Sequence, residues 1–284
     1  MPETLGCLGD ALAAGQKRLA ENGVAGAARE AREIWAALFD RAPGESVLER
    51  DRPLEPAAAA RLAAAFDRRA GGEPLAHVTG VAGFRHLELR SDRRALIPRP
   101  ETEGLVEGVL ARVRTGTAAD VGTGSGCIAL SLAGEGSFSR VIGIDRSADA
   151  LALARANRAA HGLAVDFLRG DLVTSLGPAS VDALVANPPY LSAAEYSTLE
   201  PAVRDWEPAM ALLSGTDGLD ATFALLGDGR RVVRPGGWIA LELDCTRAGR
   251  VADRAIQLGW TTVGLEADLF GRERYLFAQR SGTS

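Results

Sequence analysis

No apolar run in this chain approaches the roughly 20 residues needed to cross a bilayer. The opening Met1-Pro2-Glu3-Thr4 also lacks the basic stretch and apolar core of a secretory signal. The expectation is a cytoplasmic protein without a membrane partner. Cysteine is scarce: Cys7, Cys127 and Cys245 are odd in number, widely spaced and without a C-x-x-C pair. Neither a disulfide framework nor a cysteine zinc site is suggested, and buried thiols are expected. His77, His86 and His161 show no metal-ligand spacing, so packing or surface roles are expected and no metal is implied. Positive charge is in deficit as well. A net charge of −5 and a pI near 5.4 argue against gripping a nucleic-acid backbone over a long footprint, and direct nucleic-acid binding is not expected.

What is present suits a globular protein of two domains: 284 residues, 46% hydrophobic and 24% charged. Apolar residues recur at helical spacing in Leu5, Leu8, Leu12 and Leu19, and again in Ile34, Trp35, Leu38 and Phe39. In the alanine-dense stretch near residue 60, Leu62 and Phe66 share a face. Residues 1–73 therefore read as a helical domain. Gly71-Gly72-Glu73-Pro74 breaks the pattern, and Phe84–Leu89 alternates apolar with polar residues, so 74–97 reads as a β-hairpin linker. In Ile97-Pro98-Arg99-Pro100-Glu101-Thr102-Glu103 two prolines stiffen the chain ahead of a helix whose acidic first turn suits its dipole. From residue 98 to 284 short apolar strands alternate with helices, the pattern of a parallel sheet covered by helices, with a final antiparallel pair at Thr261–Leu265 and Tyr275–Ala278.

Asp120-Val121-Gly122-Thr123-Gly124-Ser125-Gly126 follows a strand and opens a helix, where glycines allow a tight turn and close approach of a ligand. The spacing is G-x-G-x-G, not the dinucleotide G-x-G-x-x-G. Asp145 ends the next strand, placed to accept from two ribose hydroxyls. Together they favour S-adenosylmethionine over NAD. Asp171, after the Val165–Leu168 strand, is either an adenine-binding residue with Leu172 against the ring or a turn residue.

Asn187-Pro188-Pro189-Tyr190 follows the Val181–Ala186 strand, at the carboxyl edge of the sheet. A conjugated NH2 is a poor nucleophile, and two acceptors aimed at its N–H bonds, Asn187 Oδ1 and the Pro188 carbonyl, would orient it and favour pyramidal nitrogen. The two prolines fix the backbone, and Tyr190 offers a face to a flat group. Asn187, Pro188 and Tyr190 are thus the candidate catalytic residues, with Pro189 beside them in the acceptor site.

These motifs, in this order and with Gly72–Gly80, resemble the HemK/PrmC family of protein-glutamine N5-methyltransferases over nearly the whole chain. Arg204-Asp205-Trp206-Glu207-Pro208 and Asp217-Gly218-Leu219-Asp220 are similar to the family segment that shapes the glutamine pocket. The resemblance implies a helical N-terminal domain that docks peptide-chain release factors and a seven-stranded class I, Rossmann-like α/β methyltransferase domain. It also implies methyl transfer to the glutamine of the Gly-Gly-Gln loop. Gly122, Thr123, Gly124, Ser125, Gly126, Asp145, Asp171, Leu172 and Asn187 would bind the cofactor, and Asn187 to Tyr190 the glutamine. A monomer is the default. The sequence departs from the family at Glu242-Leu243-Asp244-Cys245 and at the hairpin Gly83-Phe84-Arg85-His86. These departures leave open a paralogue acting on a small molecule. Further rivals are an adenine-N6 enzyme, which would need base flipping, and a non-catalytic binding protein.

Overall fold

Residues 6–282 are described by the computed structural model; Leu5, counted above with the first apolar series, and Met1–Thr4 lie outside them. The chain divides into two units, one reaching to Val81 and including Glu200–Trp206, the other running from Ala82 to Leu199 and from Glu207 onward.

In the first unit the helical spacing is realised as α1 (Leu8–Glu21), α2 (Ala27–Phe39), the short α3 (Glu45–Leu48) and α4 (Pro56–Ala70). Leu8, Leu19, Ile34, Trp35, Leu62 and Phe66 are buried together between them. The Gly72-Glu73-Pro74 segment does not lead directly into a strand: Leu75–Thr79 forms a further helix, α5. Glu73 is buried, and its carboxylate takes two bonds from Arg68, at 2.8 and 2.5 Å. Arg68 also donates to the His77 carbonyl at 3.1 Å, so the motif ties α4 to α5.

The second unit opens in a hairpin, β1 (Val81–Phe84, its first residue the last of the first unit's opening stretch) and β2 (Leu87–Arg90), then α6 (Pro100–Arg112). There follow β3 (Thr117–Val121), α7 (Cys127–Glu135), β4 (Arg140–Asp145), α8 (Ala148–His161), β5 (Asp166–Arg169) and β6 (Val181–Ala186). After the short α9 (Ala193–Ser197) and α10 (Pro201–Arg204), the latter grouped with the first unit, the chain continues through α11 (Asp220–Val232), β7 (Val233–Glu242), α12 (Ala248–Gln257), β8 (Trp260–Ala267) and β9 (Glu273–Arg280).

The expected seven-stranded sheet is present, in the order β5-β4-β3-β6-β7-β9-β8. Its first five strands are parallel, and β9 runs antiparallel to both β7 and β8. Alternation along the strands separates two cores. Ala119 and Val121 join Leu225, Leu226 and Val251 of α11 and α12, whereas Ala118 joins Leu105, Val109, Ile128 and Leu151 of α6, α7 and α8. From β3 the chain moves outward one way through β4 and β5, and from β6 the other way. The carboxyl ends of β3 and β6 thus flank the switch point where open α/β sheets bind ligands.

Helix α6 packs tightly on the sheet because Gly108 has no Cβ: one added there would stand 2.2 Å from Cζ of the buried Phe277. Gly108→Ala should destabilise the second unit. The gain in helix propensity is about 1 kcal/mol, whereas forcing an atom into a packed core costs about 1–3 kcal/mol. A melting curve with a lower midpoint is expected, and an unchanged or raised midpoint would contradict this packing.

Candidate active site

The loop from β3 to α7 is made possible by three glycines in left-handed conformation: Gly122 (φ 74°), Gly124 (φ 56°) and Gly126 (φ 86°). Gly122 and Thr123 both donate their backbone N–H to the Ile144 carbonyl, at 2.8 and 2.9 Å, which folds the loop over the end of β4. Beneath it lies Asp120, fully buried, accepting on Oδ2 from Thr123 Oγ1 at 2.6 Å and from the Ala129 N–H at 3.2 Å. Burial, opposed by those two bonds, pushes its carboxyl up to about 7. Asp120 is a buckle for the loop, and Thr123 points down to it.

Asp145 ends β4, and its two oxygens accept from the Gly124 N–H (3.0 Å) and the Ser147 N–H (2.9 Å). Those bonds orient the carboxylate and leave its remaining lone pairs free for a diol. Asp171 is exposed and its carbonyl accepts from Thr174, as a turn residue's would. Leu172, next to it, has a left-handed φ of 47°, an uncommon conformation for a residue with a branched side chain.

A cavity of about 440 Å³ opens at this switch point, of the size that takes a small-molecule ligand. Of the residues singled out in the sequence, Gly122, Gly124, Asp145, Asp171, Leu172, Asn187 and Pro189 line it, as do Pro208 and Asp220 from the two segments that follow the tetrapeptide. Thr123, Ser125 and Gly126 do not; they are buried in the turn. Pro188, which is buried, and Tyr190 are not among the residues that line it. A Cβ at Gly122 would meet nothing within 4 Å, so the loop is open to a ligand.

Other lining residues escaped the sequence reading. Ala95 and Leu96 stand just before the proline motif, Ala150 on α8, and Met210, Leu213 and Ala221 around the segment that follows the tetrapeptide. The only signal for them was their place beside motifs already noticed.

The tetrapeptide is braced from several directions. Asn187 Nδ2 donates to Thr102 Oγ1 at 3.1 Å, and Thr102 donates to Glu242 Oε2 at 2.7 Å. Leu191 exchanges backbone bonds with Leu212 and Ser214, each 2.9 Å, so the segment returns alongside the tetrapeptide. Arg247 fastens the surroundings: it donates to the Asp217 carbonyl (2.7 Å) and to both oxygens of Glu195 (2.8 and 2.7 Å). Its guanidinium and the Ser192 bonds hold the Glu195 carboxyl down to about 2. Arg99 of the proline motif pairs with Glu207 at 2.6 Å.

The hairpin departure has a structural role. Arg85, with φ 52°, donates from its backbone to Glu103 (2.9 Å) and from its guanidinium to Glu135 (2.6 and 2.5 Å) and Glu107 (2.9 Å), joining hairpin, α6 and α7.

A sheet of this order with a glycine-loop cavity at its switch point defines a class I methyltransferase. A methyltransferase from Pyrococcus furiosus shares the fold with a TM-score of 0.54 at 18% identity, over 69% of this chain and 89% of that one. Residues 101–204 match the methyltransferase small domain, and residues 10–80 match the PrmC N-terminal domain. Release factor glutamine methyltransferases from Cereibacter sphaeroides and Moorella thermoacetica are 40% and 41% identical to this chain. They match over 95% and 96% of its length, and over 97% and 98% of their own. The chain belongs to the release factor glutamine methyltransferase family.

Proposed function

We propose that this protein transfers a methyl group from S-adenosylmethionine to the side-chain amide nitrogen of the glutamine in the Gly-Gly-Gln loop of peptide-chain release factors. One observation carries the reading: beside a glycine-loop cavity, the Asn187 carboxamide has its NH2 arm tied to Thr102, leaving Oδ1 as an acceptor. The near full-length match to relatives, across both the helical unit and the sheet, favours a protein acceptor over a small molecule or an adenine.

The residues fit the cofactor. Asp145 would accept from the ribose hydroxyls, Gly122 and Gly124 would admit close approach along the loop, and Asp171 with Leu172 would meet the adenine. When bound, S-adenosylmethionine supplies an electrophilic methyl group on a sulfonium. Asn187 Oδ1 and the Pro188 carbonyl orient the glutamine NH2, and Tyr190 lies along its plane. As positive charge develops on that nitrogen, the two oxygen dipoles interact with it more favourably than with the neutral amide, which lowers the barrier. The methylated cation is acidic enough to lose its proton to water. The helical unit docks the release factor.

Incubation with labelled S-adenosylmethionine and purified release factors tests this directly. Label is expected in the wild-type factor and not in one whose loop glutamine is replaced by alanine; equal labelling of both would overturn the acceptor. Asp145→Asn should weaken cofactor binding about tenfold, since charge-assisted bonds contribute about 1.5–3 kcal/mol. The new NH2 would also face the N–H of Gly124 or Ser147. Calorimetric titration reads this out, and an unchanged Kd would remove Asp145 from the cofactor site.

A further inference from the structure

Asn187 is one end of a chain of three side chains drawn from distant parts of the second unit. Its Nδ2 donates to Thr102 Oγ1 at 3.1 Å, and Thr102 Oγ1 donates to Glu242 Oε2 at 2.7 Å, with Thr102 and Glu242 each 2% exposed. The two arms of a carboxamide are nearly identical in shape, so packing alone does not choose which one faces the cavity. Hydrogen bonding does. A hydroxyl has a single proton, and Thr102 has committed it to Glu242. Only lone pairs remain for Asn187, and these accept from an NH2. The reversed amide would set Oδ1 against those lone pairs and turn a donor toward the acceptor's own NH2.

We infer that Glu242 is a positioning residue for methyl transfer: through Thr102 it fixes the polarity of the Asn187 amide, keeping Oδ1 toward the acceptor nitrogen. The identity of that nitrogen rests on the function proposed above; the chain of bonds does not. The fold holds Thr102 in place for this task. Tyr275 Oη donates to the Glu101 carbonyl at 2.5 Å, and a Cβ on Gly104 would stand 2.5 Å from that Tyr275 hydroxyl, so the first turn of α6 seats closely on β9. Glu242 had stood out in the sequence only as part of a departure from the family pattern. In the structure it anchors the acceptor site.

Several charged or titratable groups face Glu242. Glu101 comes from α6 and Arg99 from just before it; Arg274 and Tyr275 come from β9. Tyr190 follows β6, and Cys127 opens α7. Burial outweighs the Thr102 bond and the Arg274 and Arg99 charges, and pushes the Glu242 carboxyl up to about 7. Once protonated, the carboxyl can donate to Thr102. The Thr102 hydroxyl is then released to donate to Oδ1, and the amide loses its fixed polarity. Transfer should therefore rise with pH through about 7.

The test measures single-turnover transfer to a release factor across pH, cofactor Kd, melting temperature and the side-chain amide resonance of Asn187 in 15N-labelled protein. Glu242→Gln and Thr102→Val are expected to transfer about tenfold more slowly, the equivalent of one neutral hydrogen bond. Their cofactor Kd should stay within twofold of wild type. Glu242→Gln, which no longer buries a charge, should melt no lower than wild type at pH 8. The rise through pH 7 should vanish in Glu242→Gln, and Thr102→Ser should recover most of the rate lost in Thr102→Val. The Asn187 amide resonance, identified by its loss in Asn187→Ala, should titrate in wild type and not in Glu242→Gln. Wild-type rates and pH profiles in both variants would overturn the inference. So would rate, melting temperature and cofactor affinity falling together in both. A wild-type enzyme that labels no release factor would overturn the acceptor instead, and the Asn187 resonance would still decide the role of Glu242.

Discussion

Asn187→Ala is expected to lower methyl transfer by about two to three orders of magnitude while S-adenosylmethionine still binds within a fewfold of its wild-type Kd. The magnitude follows from removing one preorganised dipole aimed at developing charge. The split between turnover and binding follows from geometry. Asn187 lines the cavity at one position, whereas Gly122, Gly124, Asp145, Asp171 and Leu172 line it elsewhere and are untouched. Truncation also leaves Thr102 Oγ1 without the Asn187 NH2, but its proton stays with Glu242, so the local fold is kept. Calorimetric titration beside single-turnover kinetics separates the two quantities. Normal turnover would sink the mechanism, and a cofactor Kd raised as much as the rate is lowered would make Asn187 a cofactor residue first.

The parts of this site that could be read in the sequence are those whose physics is local. A strand, three glycines in alternate positions and a helix make a loop wherever they occur, and Asp145 one strand later follows from the same alternation. The tetrapeptide announces itself because Pro188 and Pro189 constrain the backbone whatever surrounds them. The final antiparallel pair was legible because no helix separates its strands, and both strands lie at one edge of the sheet. That β9 slips between β7 and β8 was not legible, since strand order is set by tertiary packing. The brace behind Asn187 was hidden for the same reason: Thr102 is 85 positions from Asn187 and 140 from Glu242. Only the placement of α6 across β7 and β9 brings the three together. Thr102 looked like a helix-start residue, and Glu242 like a departure from a family pattern. Similarly, Thr123 and Ser125 belong to a ligand loop by motif, yet they face the protein, because a turn that presents backbone to a ligand must send its side chains somewhere.

Gly218→Ala carries the second large effect, and it acts through the backbone. Gly218 has φ 77°, where a residue with a Cβ loses about 1–2 kcal/mol. The added carbon would also stand 2.2 Å from the Tyr190 carbonyl oxygen and 3.0 Å from its carbon. Either the 215–219 loop or Tyr190 must move. The loop is held by Arg247 on the Asp217 carbonyl at 2.7 Å and by Arg250 on the Asp217 carboxylate at 3.0 Å. Tyr190 lies between Leu191, bridged to Leu213, and the two stiff prolines. A push on the Tyr190 carbonyl is therefore passed along Pro189 and Pro188 to Asn187. A displacement near 1 Å at a positioning group lowers turnover by about a hundredfold. The expected result is a kcat about a hundredfold down, a melting temperature a few degrees lower and a cofactor Kd little changed. Gly227→Ala, exposed on α11 with nothing within 4 Å of its Cβ, is the control and should be neutral or slightly stabilising. If Gly218→Ala turns over as fast as that control, the tetrapeptide does not depend on the loop behind it, and Asn187 is held by Thr102 and Glu242 alone.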